Sequence, residues 1–166
     1  MARTVANMSE LQSDAWLQLI AISELLPAAL DAQLRRDSQI THFEFAVLSL
    51  VQLSSQGALS PSDIAQALNA TLPRLSHVLA RLEARGLVSR SVTPQDRRGV
   101  EVRLTTSGRR AVVKATPGHI ATAKALVVDR FSDDELQVLG GFLRRITERL
   151  DPSDRLGHAV RSGSNA

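Results

Sequence analysis

The sequence predicts a mainly α-helical fold with a small β-hairpin, and three observations carry that prediction. Helix-start signals recur along the chain, apolar residues repeat every three or four positions, and one pair of β-branched runs flanks a turn. Composition points the same way. The 166 residues include 1 Trp and no Tyr, and the 43% that are apolar are chiefly Leu, Ala and Val, a balance that favours helices over strands.

Ser9 with Gln12, Thr41 with Glu44, and Ser132 with Glu135 have the spacing of capping boxes. Phe131 and Leu136 flank the last at the positions of a hydrophobic staple. A first helix is expected over residues 10–37. There Leu11, Ala15, Leu19, Ile22, Leu26, Leu30 and Leu34 form one apolar stripe, and Pro27 predicts a kink. A second helix covers 42–55 and stops at Gly57. A third covers 61–68, with Pro61 at the first helical position, where its missing N–H costs nothing. After Asn69 and Ala70, Thr71 caps a fourth helix that ends at Gly86.

Strands follow over 87–92 and 100–104, joined by a turn over 93–99. Thr105 caps a fifth helix running towards Asp129, which Pro117 and Gly118 should bend or break. The last helix spans 133–150, with Leu136, Leu139, Leu143, Ile146 and Leu150 on one stripe. Residues 151–166 read as a flexible tail.

Several chemistries find no footing. There is no cysteine, which excludes disulfides, thiol nucleophiles and thiol redox sensing. The 4 histidines, His42, His77, His119 and His158, lack metal-ligand spacing, so no metal site is expected. No Gly-rich phosphate loop, nucleophile motif or cofactor motif is present, and the chain does not read as an enzyme. Asp133, Asp134 and Glu135 read as helix-start charges complementing the dipole. No apolar run suggests a membrane span and no signal-peptide pattern opens the chain, so a cytoplasmic location is expected.

The net charge of +3 says little by itself, but its distribution says more. Arg74, Arg81, Arg85, Arg90, Arg97, Arg98, Arg103, Arg109 and Arg110 fall in one segment, opposed there only by Glu83, Asp96 and Glu101. A concentrated basic segment is what a phosphate-binding surface needs.

Residues 61–86 read as a helix-turn-helix. On the fourth helix, Leu75, Val78, Leu79 and Leu82 gather on one side, and Pro73, Arg74, His77, Arg81 and Ala84 on the other. The second face suits a helix lying in a DNA major groove, with Thr71, Arg74, Ser76, His77 and Arg81 as candidate contacts. An ordinary solvated face is the competing reading of those residues alone. The hairpin tip, Asp96-Arg97-Arg98-Gly99, would bring arginine towards a minor groove. If regular pairing continues to the tip, Asp96 and Arg98 share one side of the ribbon, and Asp96 would hold Arg98 by an ion pair. The outer helices are too apolar for isolated flanks, which suggests a shared dimer core. Folding back on their own domain is the alternative. Trp16 and His42 are candidates for a small-molecule pocket, although packing and capping explain them as well.

The motif set resembles the MarR family of regulators. Gly86-Leu87-Val88-Ser89-Arg90, Asp96-Arg97-Arg98 and Val102-Arg103-Leu104-Thr105-Thr106-Ser107-Gly108 are similar to that family's wing signature. Leu75-Ser76-His77-Val78 with Arg81-Leu82-Glu83 is similar to its recognition helix. Ile40-Thr41-His42-Phe43-Glu44-Phe45 and Pro117-Gly118-His119 resemble an actinobacterial sub-group. The resemblance implies a winged helix-turn-helix over residues 38–105 and a helical dimerisation region over 1–37 and 106–150. It also implies a homodimer on a palindromic DNA operator, acting as a repressor that a small, often aromatic-acid effector releases. A protein-interaction module using the same fold without DNA is the alternative function.

Overall fold

Each of the three capping boxes closes as its spacing requires. The computed structural model describes residues 4–93 and 96–155, and for 92, 93 and 96–99 the backbone alone. Ser9, Thr41 and Ser132 accept the backbone N–H three residues on, while Gln12, Glu44 and Glu135 reach back to the cap. They open α1 (Glu10–Ser38), α2 (His42–Leu53) and α6 (Asp133–Leu150). Ser60 caps α3 (Pro61–Ala67), Thr71 caps α4 (Leu72–Ala84) and Thr105 caps α5 (Thr106–Leu126). A short 3-10 turn, Val128–Arg130, closes the path from α5 to α6.

Pro117 does not break α5, which runs on through it. The proline leaves the Val113 carbonyl without its helical donor, but Val113 is 64% exposed, so water can serve that group. α1 likewise runs unbroken through Pro27.

The sheet has three antiparallel strands in the order β1-β3-β2. β2 (Val88–Thr93) and β3 (Asp96–Leu104) are the expected hairpin; β1 (Ala58–Leu59) was not expected. β1 pairs with β3 through Ala58 opposite Arg103 and Leu59 opposite Val102. Regular pairing of the hairpin runs from Val88 opposite Leu104 to Val92 opposite Val100. It then shifts register, so that Thr93 faces Asp96. Arg97, Arg98 and Gly99 therefore fall in a bulge, and the simple alternation expected to put Asp96 and Arg98 on one side does not apply. Those side chains lie outside the described residues.

One core joins the helix-turn-helix to the sheet. Val47, Leu48, Ile64, Leu75, Leu79, Leu82 and Val102 are fully or almost fully buried in it, and it takes in Leu34 from α1 with Val112 and Ala115 from α5. The first turn of α5 closes against the α4–β2 corner. Thr105 donates its hydroxyl to the Gly86 carbonyl at 2.7 Å, and its backbone N–H to the Leu87 carbonyl at 3.1 Å. A Cβ at Gly108 would stand 1.9 Å from that same Leu87 oxygen, so only glycine fits there.

The outer helices are covered differently. Along the α1 stripe burial changes from end to end: Leu11 is 81% exposed, whereas Leu34 is fully buried. α6 carries its apolar stripe without a single buried residue. By length and composition alone α1 is apolar enough to cross a membrane, which the expectation based on uninterrupted runs had missed. Its C-terminal part instead packs into the core just described. Of the predicted tail, residues 156–166 lie outside the description, while Asp151 is buried and accepts hydrogen bonds from Ser153 and Arg155.

Candidate nucleic-acid interface

α4 with its cap Thr71 presents Thr71, Arg74, Ser76, His77 and Arg81 to solvent and buries Leu75, Val78, Leu79 and Leu82. At about 100° per residue, the outermost line runs through Pro73, Ser76, His77, Ala80 and Ala84. Arg74 and Arg81, two turns apart, lie on one flank of that line. Each is held there by α2. The Arg74 guanidinium stands over the Phe43 ring, 4.4 Å from its centroid, a cation–π contact of the kind worth about 0.5–1 kcal/mol at an exposed site. Arg81 pairs with Glu44 at 3.4 Å, and Arg85 pairs with the same carboxylate at 3.6 Å.

The other flank of α4 faces the hairpin. Glu83 accepts a forked contact from the Arg90 guanidinium on β2, and the Arg90 backbone N–H at 3.2 Å. This ties the helix end to the root of the wing. The Arg90 guanidinium beside it holds the Glu83 carboxyl below the usual carboxylate range. Much of the basic segment is thus internally paired, Arg103 included, with Glu101 at 2.8 Å. Among the described residues, Arg109 and Arg110 stand exposed at the start of α5 without such a pair. From sequence alone Glu44 reads as a helix cap, and nothing in the spacing of Phe43, Glu44 or Glu83 within its own helix points across to a partner on another element. Leu72 stands 53% exposed at the first position of α4, where no apolar stripe in the sequence singles it out.

Trp16 and His42 stand far apart within the chain. His42 sits at the junction of α1, α2 and α5, where Asp31 accepts its backbone N–H at 2.8 Å and its ring lies 5.6 Å from that of His119. Trp16 is exposed on α1, 15 residues before Asp31, roughly 22 Å along the helix axis at ~1.5 Å per residue. His119 also packs on Phe45 at 4.6 Å, and its Nδ1 is buried without a partner among the described residues.

Burial pushes His42 below the usual imidazole range against the pull of Asp31. Burial, then the neighbouring His42, does the same to His119. The folded state therefore binds fewer protons than the unfolded one near pH 6, and stability is lost as pH falls below the unfolded value of 6.5. Carboxylates such as Asp31, which Arg35 holds low, titrate well below that window. Thermal melts at about pH 7.5 and about pH 5.5 should show a loss on acidification that His119→Phe reduces. Equal losses in both proteins would refute the assignment.

The family model described as MarR family matches residues 40–100. A DNA complex of Sco3205, a MarR family transcriptional regulator from Streptomyces coelicolor, superposes with a TM-score of 0.83. It is 32% identical, over 89% of this chain and 96% of that one. The chain belongs to the MarR family. Two other proteins match over most of the chain. The Staphylococcus aureus MepR–DNA complex gives a TM-score of 0.74 at 29% identity, covering 82% of this chain and 97% of that one. The transcriptional repressor YetL of Bacillus subtilis is 28% identical over 149 residues, 90% of this chain and 88% of its own length. In MarR terms α3 and α4 are the helix-turn-helix and β2–β3 the wing.

Proposed function

We propose that this MarR-family chain is a sequence-specific duplex-DNA-binding transcription regulator, a homodimeric, cytoplasmic repressor without catalytic activity, released by a small-molecule effector. The exposed face of α4, flanked by paired arginines and followed by the wing, carries this reading. Solved relatives are described in complex with DNA, and YetL as a repressor. The DNA contacts we assign are Thr71, Arg74, Ser76, His77 and Arg81 on α4, and Asp96, Arg97 and Arg98 on the wing. Leu72 is added for contact with a thymine methyl group. The dimer is assigned to α6 and the outer ends of α1 and α5, where apolar residues such as Leu11, Ile120 and Leu126 stay uncovered in a single chain. The effector would act at the α1–α2–α5 junction around His42, with Trp16 contributing only from the partner protomer.

Selection of bound duplexes from a random pool tests the proposal: a palindromic consensus supports it, and the absence of any enriched sequence overturns it. Given that operator, Arg74→Ala should lower the ratio of operator to random-duplex affinity about tenfold, as roughly 1–3 kcal/mol per base contact requires. Equal weakening of both kinds of binding would make Arg74 a phosphate contact.

A further inference from the structure

The first turn of α2 is where the outer helices and the reading head meet, and its residues divide between them. His42 faces α5, while Phe43 and Glu44 face α4. Glu44 is the more informative. Its Oε2 accepts the Thr41 backbone N–H at 2.8 Å, closing the capping box. A neutral glutamine would serve that role as well. Yet the side chain is a carboxylate, and the residue is only 4% exposed. A buried charge needs compensation from close partners. Its partners are Arg81, 3.4 Å from one oxygen, and Arg85, 3.6 Å from the other. Arg85 also donates to the Gln39 carbonyl at 2.9 Å, so it is held twice.

Both arginines remain largely accessible beyond this contact, with side-chain exposures of 60% and 41%. The pair therefore stands at the edge of the surface assigned to DNA, charged but tethered. We propose that Glu44 is a specificity-determining positioning residue. It holds Arg81 and Arg85 on the α2 flank of α4, restrains them from the phosphates of arbitrary duplexes, and presents Arg81 in one orientation to the operator. This rests on the reading of α4 as the DNA-contacting helix.

The physical consequence separates two kinds of binding. Random duplexes are bound through phosphate charge, so an added net positive charge and two freed guanidinium groups tighten that binding. Operator binding gains the same attraction but must order the freed side chains again, which offsets the gain. Glu44 thus raises the ratio of the two affinities rather than either affinity alone.

The test uses the full-length protein, its selected operator and a random duplex of equal length over a series of salt concentrations. Glu44→Gln keeps the cap and removes the charge. Random-duplex affinity should rise about three- to tenfold, and the slope of log affinity against log salt should steepen by roughly one phosphate contact per protomer. The operator-to-random ratio should fall by about the same three- to tenfold. In an Arg81→Ala, Arg85→Ala background the same substitution adds the charge alone, so random-duplex and operator affinity should rise together and their ratio should stay unchanged, a coupling that a merely structural Glu44 would not produce. If Glu44→Gln does not fold, Glu44→Asp retains the charge but withdraws it by one methylene, and should lower the ratio in the same direction by a smaller factor. An unchanged ratio and slope in the folded variant overturns the proposal, as does a fall in the ratio that persists without the two arginines. A wild type that binds no duplex overturns the functional reading as well, an outcome distinct from normal operator binding that ignores Glu44.

Discussion

Leu139→Glu combined with Leu143→Glu should leave the protein monomeric and unable to hold its operator. The two leucines lie one turn apart on α6, an 18-residue helix with no buried residue of its own. Phe142, Ile146 and Leu150 beside them are 55%, 40% and 74% exposed. An amphipathic helix gains most of its stability from packing its apolar face, so this open face is where the proposed dimer would form. In a two-fold dimer each substitution is made twice. Each buried unpaired carboxylate costs several kcal/mol, and the sum rivals the roughly 12 kcal/mol that holds a nanomolar complex together. Sedimentation at micromolar concentration should show a dimer for the wild type and a monomer for the variant. A variant that still sediments as a dimer would move the interface elsewhere.

Gly108→Ala should lower the melting temperature by roughly 4–12 °C, which corresponds to about 2–3 kcal/mol of overpacking in a chain this long. The sign is opposite to the helical preference, since alanine in place of glycine within a helix ordinarily gains about 1 kcal/mol. The new methyl would sit 1.9 Å from the Leu87 carbonyl oxygen, a backbone atom with no side-chain torsion to relieve the clash. The same oxygen accepts the Thr105 N–H, so the cap of α5 and the start of β2 must shift together. Because Arg90 ties that strand to α4, operator binding should weaken too. An unchanged or raised melting temperature would show that the corner yields freely.

Much of this architecture was legible because it is local. Ser9, Thr41 and Ser132 each announce a helix within four residues, and the bonds form as their spacing requires. The buried face of α4 followed from its periodicity alone. β1 was not legible, since two residues carry no alternation and become a strand only by pairing with β3 more than 40 positions away. The register shift at Val92–Thr93 was equally hidden, because a bulge breaks the period on which such a reading depends. At the candidate interface the residue types were readable and their state was not. Nine arginines in one segment suggested open positive charge, whereas Arg81, Arg85, Arg90 and Arg103 already have carboxylate partners. Glu44 escaped notice because a capping glutamate looks the same whether or not it also binds another helix.

α1 and α5 each have one end sealed in the core of the reading head and the other in the uncovered apolar region. No linker intervenes, so the two halves of the molecule share rigid struts. α5 has 21 residues, a lever of roughly 30 Å at ~1.5 Å per residue. A tilt of about 4° over such a lever displaces its far end by about 2 Å, which is more than half the ~3.4 Å step between successive base pairs. In the proposed dimer the two protomers would work like the arms of a caliper: the gap between the jaws would be set at the pivot, and a strain of small angle there would be enough to take them off gauge.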